Sequence, residues 1–242
     1  MQCPLPKTAA QHRRYVKNKG EYMADNIDKN DYEKLSKACC KLTEFRDYRM
    51  DDYISILFNT VLDFQMKTPA VTKADAYYKQ NNWSKIRTHQ DLKKVLLHYP
   101  NTKKSNTQLA QYLWGNNHWS RAKLLRELVQ YLETQKINGY KSLLRWIKTA
   151  SYENIKGKIQ VRNNETGRVI HSIGPVLFEW LRLRLGEPTV KADVHVTNFI
   201  KQTLGYSPNS EEIKFTLIKI AKDMKIEPRE LDAAIWHYMS GY

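Results

Sequence analysis

The stretch from Ile170 to Val196 constrains the fold more than any other part of the chain. A tight Gly174-Pro175 turn opens an amphipathic helix, a Gly186-Glu-Pro188 break ends it, and Asp193 then starts another helix. Proline at the first helical position and glycine just past the last are the usual punctuation of a helix. A turn at a helix N-terminus points free backbone N–H groups outward, the arrangement a phosphate needs. A carboxylate held downstream can act on the molecule that carries the phosphate.

Charge agrees with an anionic partner. Forty Lys+Arg against 25 Asp+Glu give the 242-residue chain a net charge of +15. An excess of one sign on that scale favours nucleic acid or an anionic surface. No apolar run of membrane-spanning length exists, and the Met1–Arg14 segment lacks the apolar core of a signal peptide, so an intracellular, nucleoid-associated protein is expected. Cys3, Cys39 and Cys40 offer neither a disulfide framework nor zinc-ligand spacing. The adjacent Cys39-Cys40 pair reads as helix packing in a reducing compartment. No metal and no cofactor is implied.

Periodicity predicts a mostly helical chain. Ile54, Leu57, Phe58, Val61 and Leu62 recur at helical spacing, giving an amphipathic helix over 51–66 with acidic residues in its first turn. Further helices are expected at 71–80, 89–97, 105–113, 121–135 with Ser120 as N-cap, 141–150, 175–185, 193–204, 210–224 and 229–239. Between Lys156 and Ile170 the pattern changes. Ile159 and Val161 alternate with polar residues, and Asn163–Gly167 is a turn signal, which predicts a short β-hairpin. Residues 1–30 are polar and basic at the front, and read as an arm or a late-docking helix.

In its ordered elements the 170–199 segment resembles the helix–hairpin–helix Gly/Pro–Asp superfamily of DNA glycosylases, which includes the endonuclease III and 3-methyladenine glycosylase types. Ile170-His-Ser-Ile-Gly174 stands where that superfamily has its Leu-Pro-Gly-Val-Gly hairpin. Gly186 and Pro188 match its loop, and Ala192-Asp193-Val194-His195-Val196 its acidic motif. Upstream, Leu62-Asp-Phe-Gln65-Met-Lys-Thr68 is similar to the family's Leu-Ser-Ala-Gln-Ala-Thr segment, and Trp119-Ser-Arg-Ala122 to its Asn-Ser-Lys-Ala turn. The chain departs from the pattern in three places. Ser172 replaces the first hairpin glycine, and Val176 stands where strand-cutting members carry a nucleophilic lysine. No cysteine after Cys40 is available for an iron–sulfur cluster.

The resemblance implies a two-lobed, all-α glycosylase fold with a helix–hairpin–helix motif and one small β-hairpin insertion. Residues 51–185 would form a helical barrel, and 1–50 with 186–242 a second lobe, with the active-site cleft between them. It implies a monofunctional enzyme that extrudes a damaged or modified base from double-stranded DNA and hydrolyses its N-glycosidic bond, leaving an abasic site. Base loss builds positive charge on the sugar, and a fixed carboxylate stabilises that charge. Asp193 is the catalytic candidate, and it is equally a preferred N-cap for the helix it opens. Ser172, Ile173, Gly174 and Val176 would contact the DNA backbone. Gln65, Asn117, His118, Trp180 and His195 are candidates for base extrusion and the base pocket. Lys156, Lys158, Arg162, Arg168, Arg182 and Arg184 could meet phosphates, and Lys191 is a second conceivable amine nucleophile. An alkylated purine is the default substrate; a hypermodified pyrimidine of viral DNA, excised in a defence role, is the second. A monomer is expected. A non-catalytic helix–hairpin–helix DNA-binding protein is the first rival reading and a helical RNA-binding module the second.

Overall fold

The computed structural model describes residues 27–63 and 66–241. The expectations for the first 26 residues and for Gln65 therefore lie outside the described residues. Twelve helices and one two-stranded antiparallel sheet are found among them. In chain order the first helices are α1 (Lys29–Cys39), α2 (Tyr53–Leu62), α3 (Thr68–Asn81), α4 (His89–His98), α5 (Lys103–Trp114) and α6 (Trp119–Thr134). Next come α7 (Tyr140–Ile147), α8 (Tyr152–Ile155), β1 (Gln160–Arg162) and β2 (Val169–Ser172). The chain ends in α9 (Pro175–Arg184), α10 (Val194–Leu204), α11 (Ser210–Met224) and α12 (Pro228–Ser240). This is the all-α architecture with a small β ornament that the residue pattern predicts. No helix among the described residues is long and apolar enough to cross a membrane.

The chain divides into two compact units, Arg49–Glu187 and the remainder. In the first, α2 differs from its predicted amphipathic form. Nine of its ten residues are buried, because it is the helix around which the others pack. Thr60 is tolerated there because its hydroxyl donates to the Ile56 carbonyl at 2.7 Å. Phe58 meets Tyr78 and Trp114 edge-on, at ring-centre separations of 4.8 and 5.4 Å. From α6, Arg126 collects the polar groups at the end of α4. Its guanidinium donates to the carbonyls of Leu96 and Tyr99 and to Asn106 Oδ1.

Ser120 does not cap α6. The helix starts one residue earlier, at Trp119, with His118 as N-cap, and Ser120 is a buried residue of its first turn. The reason is tertiary: Ser120 Oγ is 2.8 Å from His171 Nε2 on β2. The β-hairpin pairs Gln160 with Ser172 and Val161 with His171, with an irregularity between Val161 and Arg162. Asn163 Oδ1 accepts the N–H groups of Glu165 and Thr166 to close its turn. Ile159 and Val161 point into the core of this unit.

In the second unit α1, α10, α11 and α12 share a core that includes Leu35, Cys39, Val196, Phe199, Ile200, Leu217, Ile220, Leu231 and Ile235. Helix α1 ends at Cys39, in keeping with the reading of the Cys39-Cys40 pair as helix packing, although no range was predicted for it; Asp28 caps it, accepting the Asp31 N–H at 3.0 Å. Cys39 is a buried free thiol whose pKa burial pushes up to about 12. Cys40 is disulfide-bonded, so the expectation that neither cysteine pairs holds for Cys39 alone. Cys40 is the C-cap of α1 and is half-buried.

Candidate active site

In the unit that includes residues 188–242, Pro188 sets off an irregular approach to α10 whose last residues are buried. Val190 and Lys191 are inaccessible, and the Lys191 N–H donates to Asp232 Oδ1 of α12 at 2.7 Å. The Asp193 N–H turns back to the Lys191 carbonyl at 2.8 Å. Asp193 is the N-cap of α10: its Oδ1 accepts the N–H groups of His195 at 2.9 Å and Val196 at 3.0 Å. Its other oxygen, Oδ2, lies 2.7 Å from Lys191 Nζ. The lysine side chain is 1% exposed and the aspartate side chain 14%. A carboxylate held at both oxygens, with a narrow exposed face, is a fixed negative charge. The His195 ring is half-buried and meets Trp236 of α12 edge-on, with centres 5.8 Å apart.

In the 49–187 unit the hairpin turn is entered from a strand. Ser172, the last residue of β2, still pairs with Gln160, and the Ile173 N–H donates to the Ile159 carbonyl at 3.0 Å. The strand therefore runs two residues beyond the predicted limit at Ile170. Ile173 is buried. Gly174 is the N-cap of α9 and carries no side-chain cap, Pro175 takes the first helical position, and Val176 is exposed beside it. The first-turn N–H groups of α9 are thus left for an external acceptor.

The α5–α6 turn presents Asn117 and His118 to solvent. Gln111 Nε2 donates to Asn117 Oδ1 at 2.8 Å, and the His118 N–H to Asn116 Oδ1 at 3.0 Å, so the tip is ordered by its own polar groups. Partial desolvation by its neighbours lowers the pKa of His118 although its surface is exposed, with the Arg121 charge adding to it. His171 is lowered in the same order, by burial, then by Arg121, with His118 contributing less. Trp180 is half-buried against the core, with the Arg184 guanidinium 4.7 Å from its ring centre.

The sequence candidates thus fall into two groups. Asp193 and His195 stand together at the start of α10, and Lys191 joins them. Ser172, Ile173, Gly174, Val176, Asn117, His118 and Trp180 belong to the other unit, where β2 carries His171 onto the first turn of α6. Of the basic residues expected to meet phosphates, Lys156, Lys158, Arg162 and Arg168 are exposed. Arg184 corrects the expectation: it is buried and ion-paired with Asp63 at the end of α2. Arg182 pairs with Glu179 and Glu187. Sequence reading passed over Trp236, Asp232 and His171. Asp232 left a signal, since an acidic residue between Leu231 and Ala233 sits off the polar face of α12.

Among solved structures the fold is similar to that of the 8-oxoguanine glycosylase/lyase of Clostridium acetobutylicum, crystallised with double-stranded DNA containing cytosine opposite 8-oxoguanine. The TM-score is 0.51 at 13% identity, covering 88% of this chain and 70% of that one. At that identity the likeness is one of fold. No protein of curated function matches the chain in sequence. Residues 115–240 match a family model described as a domain of unknown function, DUF8548. That match spans more than half of the 242 residues, and the chain belongs to this family.

Proposed function

We propose that the protein is a monofunctional DNA glycosylase of the helix–hairpin–helix Gly/Pro–Asp type, in which Asp193 assists hydrolysis of an N-glycosidic bond. The observation that carries this reading is the Asp193 carboxylate. It is fixed at both oxygens and 14% exposed, at the position the sequence resemblance makes catalytic, in a chain with a glycosylase fold. A preorganised negative charge stabilises the oxocarbenium-like sugar as the base leaves. Ser172, Ile173, Gly174 and Val176 bring the uncapped start of α9 to a phosphate of the DNA backbone. Gln65, Asn117, His118, Trp180 and His195 are the proposed extrusion and pocket residues.

Charge supports a DNA partner. Residues 49–187 hold 23 Lys+Arg against 11 Asp+Glu, so that unit carries most of the chain's net +15. It also holds the turn into α9 and the α6 tip. Val176, at the place of the strand-cutting lysine, supports hydrolysis without strand cleavage. An alkylated purine is the first candidate base and a hypermodified pyrimidine of viral DNA the second.

The test is incubation with duplexes bearing alkylated, oxidised and hypermodified bases, followed by alkali to reveal abasic sites. Base release by the native protein, lost in Asp193→Asn while duplex binding persists, is the expected result. Unchanged single-turnover release in that variant would overturn the role of Asp193. One observation favours a second reading: Asp193 Oδ1 already accepts two N–H groups of α10, as the oxygen of a purely structural cap would. A non-catalytic DNA-binding protein would bind every duplex and release nothing.

A further inference from the structure

Lys191 is a buried cation whose side chain ends on the one carboxylate oxygen that α10 does not use. Capping a helix requires only one acceptor, and Asp193 Oδ1 already serves two N–H groups. Burying an ammonium is costly unless it is paired, and an apolar chain of equal length would fill the same space without that penalty. Capping of α10 alone therefore does not account for an ammonium there. The surroundings hold it in place: Val190 and Lys191 are inaccessible, the Lys191 N–H is tied to Asp232 on α12, and the Asp193 N–H returns to the Lys191 carbonyl. The segment is held by these bonds, and its lysine reaches Oδ2 at 2.7 Å from the protein interior.

We propose that Lys191 is the positioning residue for Asp193. Its ammonium fixes Oδ2 while α10 fixes Oδ1, so that the carboxylate meets the sugar in one orientation with its countercharge behind it. This rests on the glycosylase reading of Asp193. It also assigns the amine a role other than nucleophile: the Lys191 side chain is 1% exposed and its Nζ lies against the carboxylate.

The base being unidentified, the probe is an abasic mimic. One duplex carries a protonated pyrrolidine in place of a single deoxyribose, and its twin a neutral tetrahydrofuran. The ratio of their dissociation constants reads the field of Asp193 at the sugar. Native protein should favour the cationic duplex by about 100-fold or more, as enzymes favour transition-state mimics, and Asp193→Asn should erase the preference. Lys191→Met should lower the ratio by roughly 10-fold, leaving affinity for the neutral duplex unchanged and the melting temperature within a few degrees. Lys191→Arg should restore most of it, and Lys191→Gln replaces the Met variant if that does not fold.

A ratio that stays or rises in Lys191→Met overturns the proposal, because the ammonium then merely opposes the cation. Borohydride trapping of the protein on abasic DNA that is lost in Lys191→Met also overturns it, in favour of a nucleophile. No preference by the native protein refutes the glycosylase reading itself. An Asp193-dependent preference that ignores Lys191 refutes only the positioning role.

Discussion

Asp193→Asn is the natural test of catalysis, and the structure predicts that it also costs stability. The asparagine keeps the cap, because its amide oxygen accepts the His195 and Val196 N–H groups as well as a carboxylate does. The charge opposite Lys191 is lost. Removing one partner of a buried pair costs about 3–5 kcal/mol, and the 14% exposure of Asp193 places this case near 3 kcal/mol. Lys191→Met should cost less, about 1 kcal/mol, since the carboxylate keeps two N–H donors and some contact with water. The double variant should also sit about 1 kcal/mol below the native protein, so the cycle yields roughly 3 kcal/mol of coupling. Urea denaturation of the four proteins, followed by circular dichroism, measures it. A single Asp193→Asn variant within about 0.5 kcal/mol of native, or a cycle without coupling, would refute a buried ion pair at this site. The double variant also supplies a folded protein without the carboxylate for the base-release assay.

Arg126→Met should lower stability by about 2–3 kcal/mol, because three acceptors at the end of α4 and the start of α5 lose a charged donor; the urea midpoint reads it. His171 should make stability fall on acidification. Its pKa is lowered in the folded protein, so the unfolded chain binds more protons between that value and the ordinary histidine value. The contribution is full above the ordinary value and is lost as pH falls through the window. His171→Asn should flatten that part of the pH profile, and an unchanged slope would contradict it. Duplex affinity should fall steeply with salt. Neutralising an exposed phosphate contact among Lys156, Lys158, Arg162 and Arg168 should reduce the log–log slope by about one, whereas Arg184→Gln should leave the slope and destabilise the protein.

What was legible in the residues is what neighbours in sequence decide. The spacing of Ile54, Leu57, Phe58, Val61 and Leu62 located α2, and Asn163–Gly167 located the hairpin turn. The cap at Asp193 could be read because the donors of His195 and Val196 are two and three residues away. What was misread depends on partners far along the chain. Ser is the stronger capping residue by propensity, yet Ser120 lies inside α6 because its hydroxyl is taken by His171, 51 residues on. Arg184, expected to meet a phosphate, instead meets Asp63 in the interior, 121 residues away. Lys191 shows the same limit at the candidate site. Its nearness to Asp193 was visible, but lysines are so rarely buried that nothing local pointed to an interior ammonium. The buried partner of its backbone, Asp232, comes from a helix 41 residues later. Whether Asp193 is a cap or a catalytic carboxylate is thus not a choice between two structures. The cap bonds at Oδ1 and the lysine at Oδ2 are what a catalytic carboxylate needs in order to stay in place, so only the chemistry of the variants separates the two.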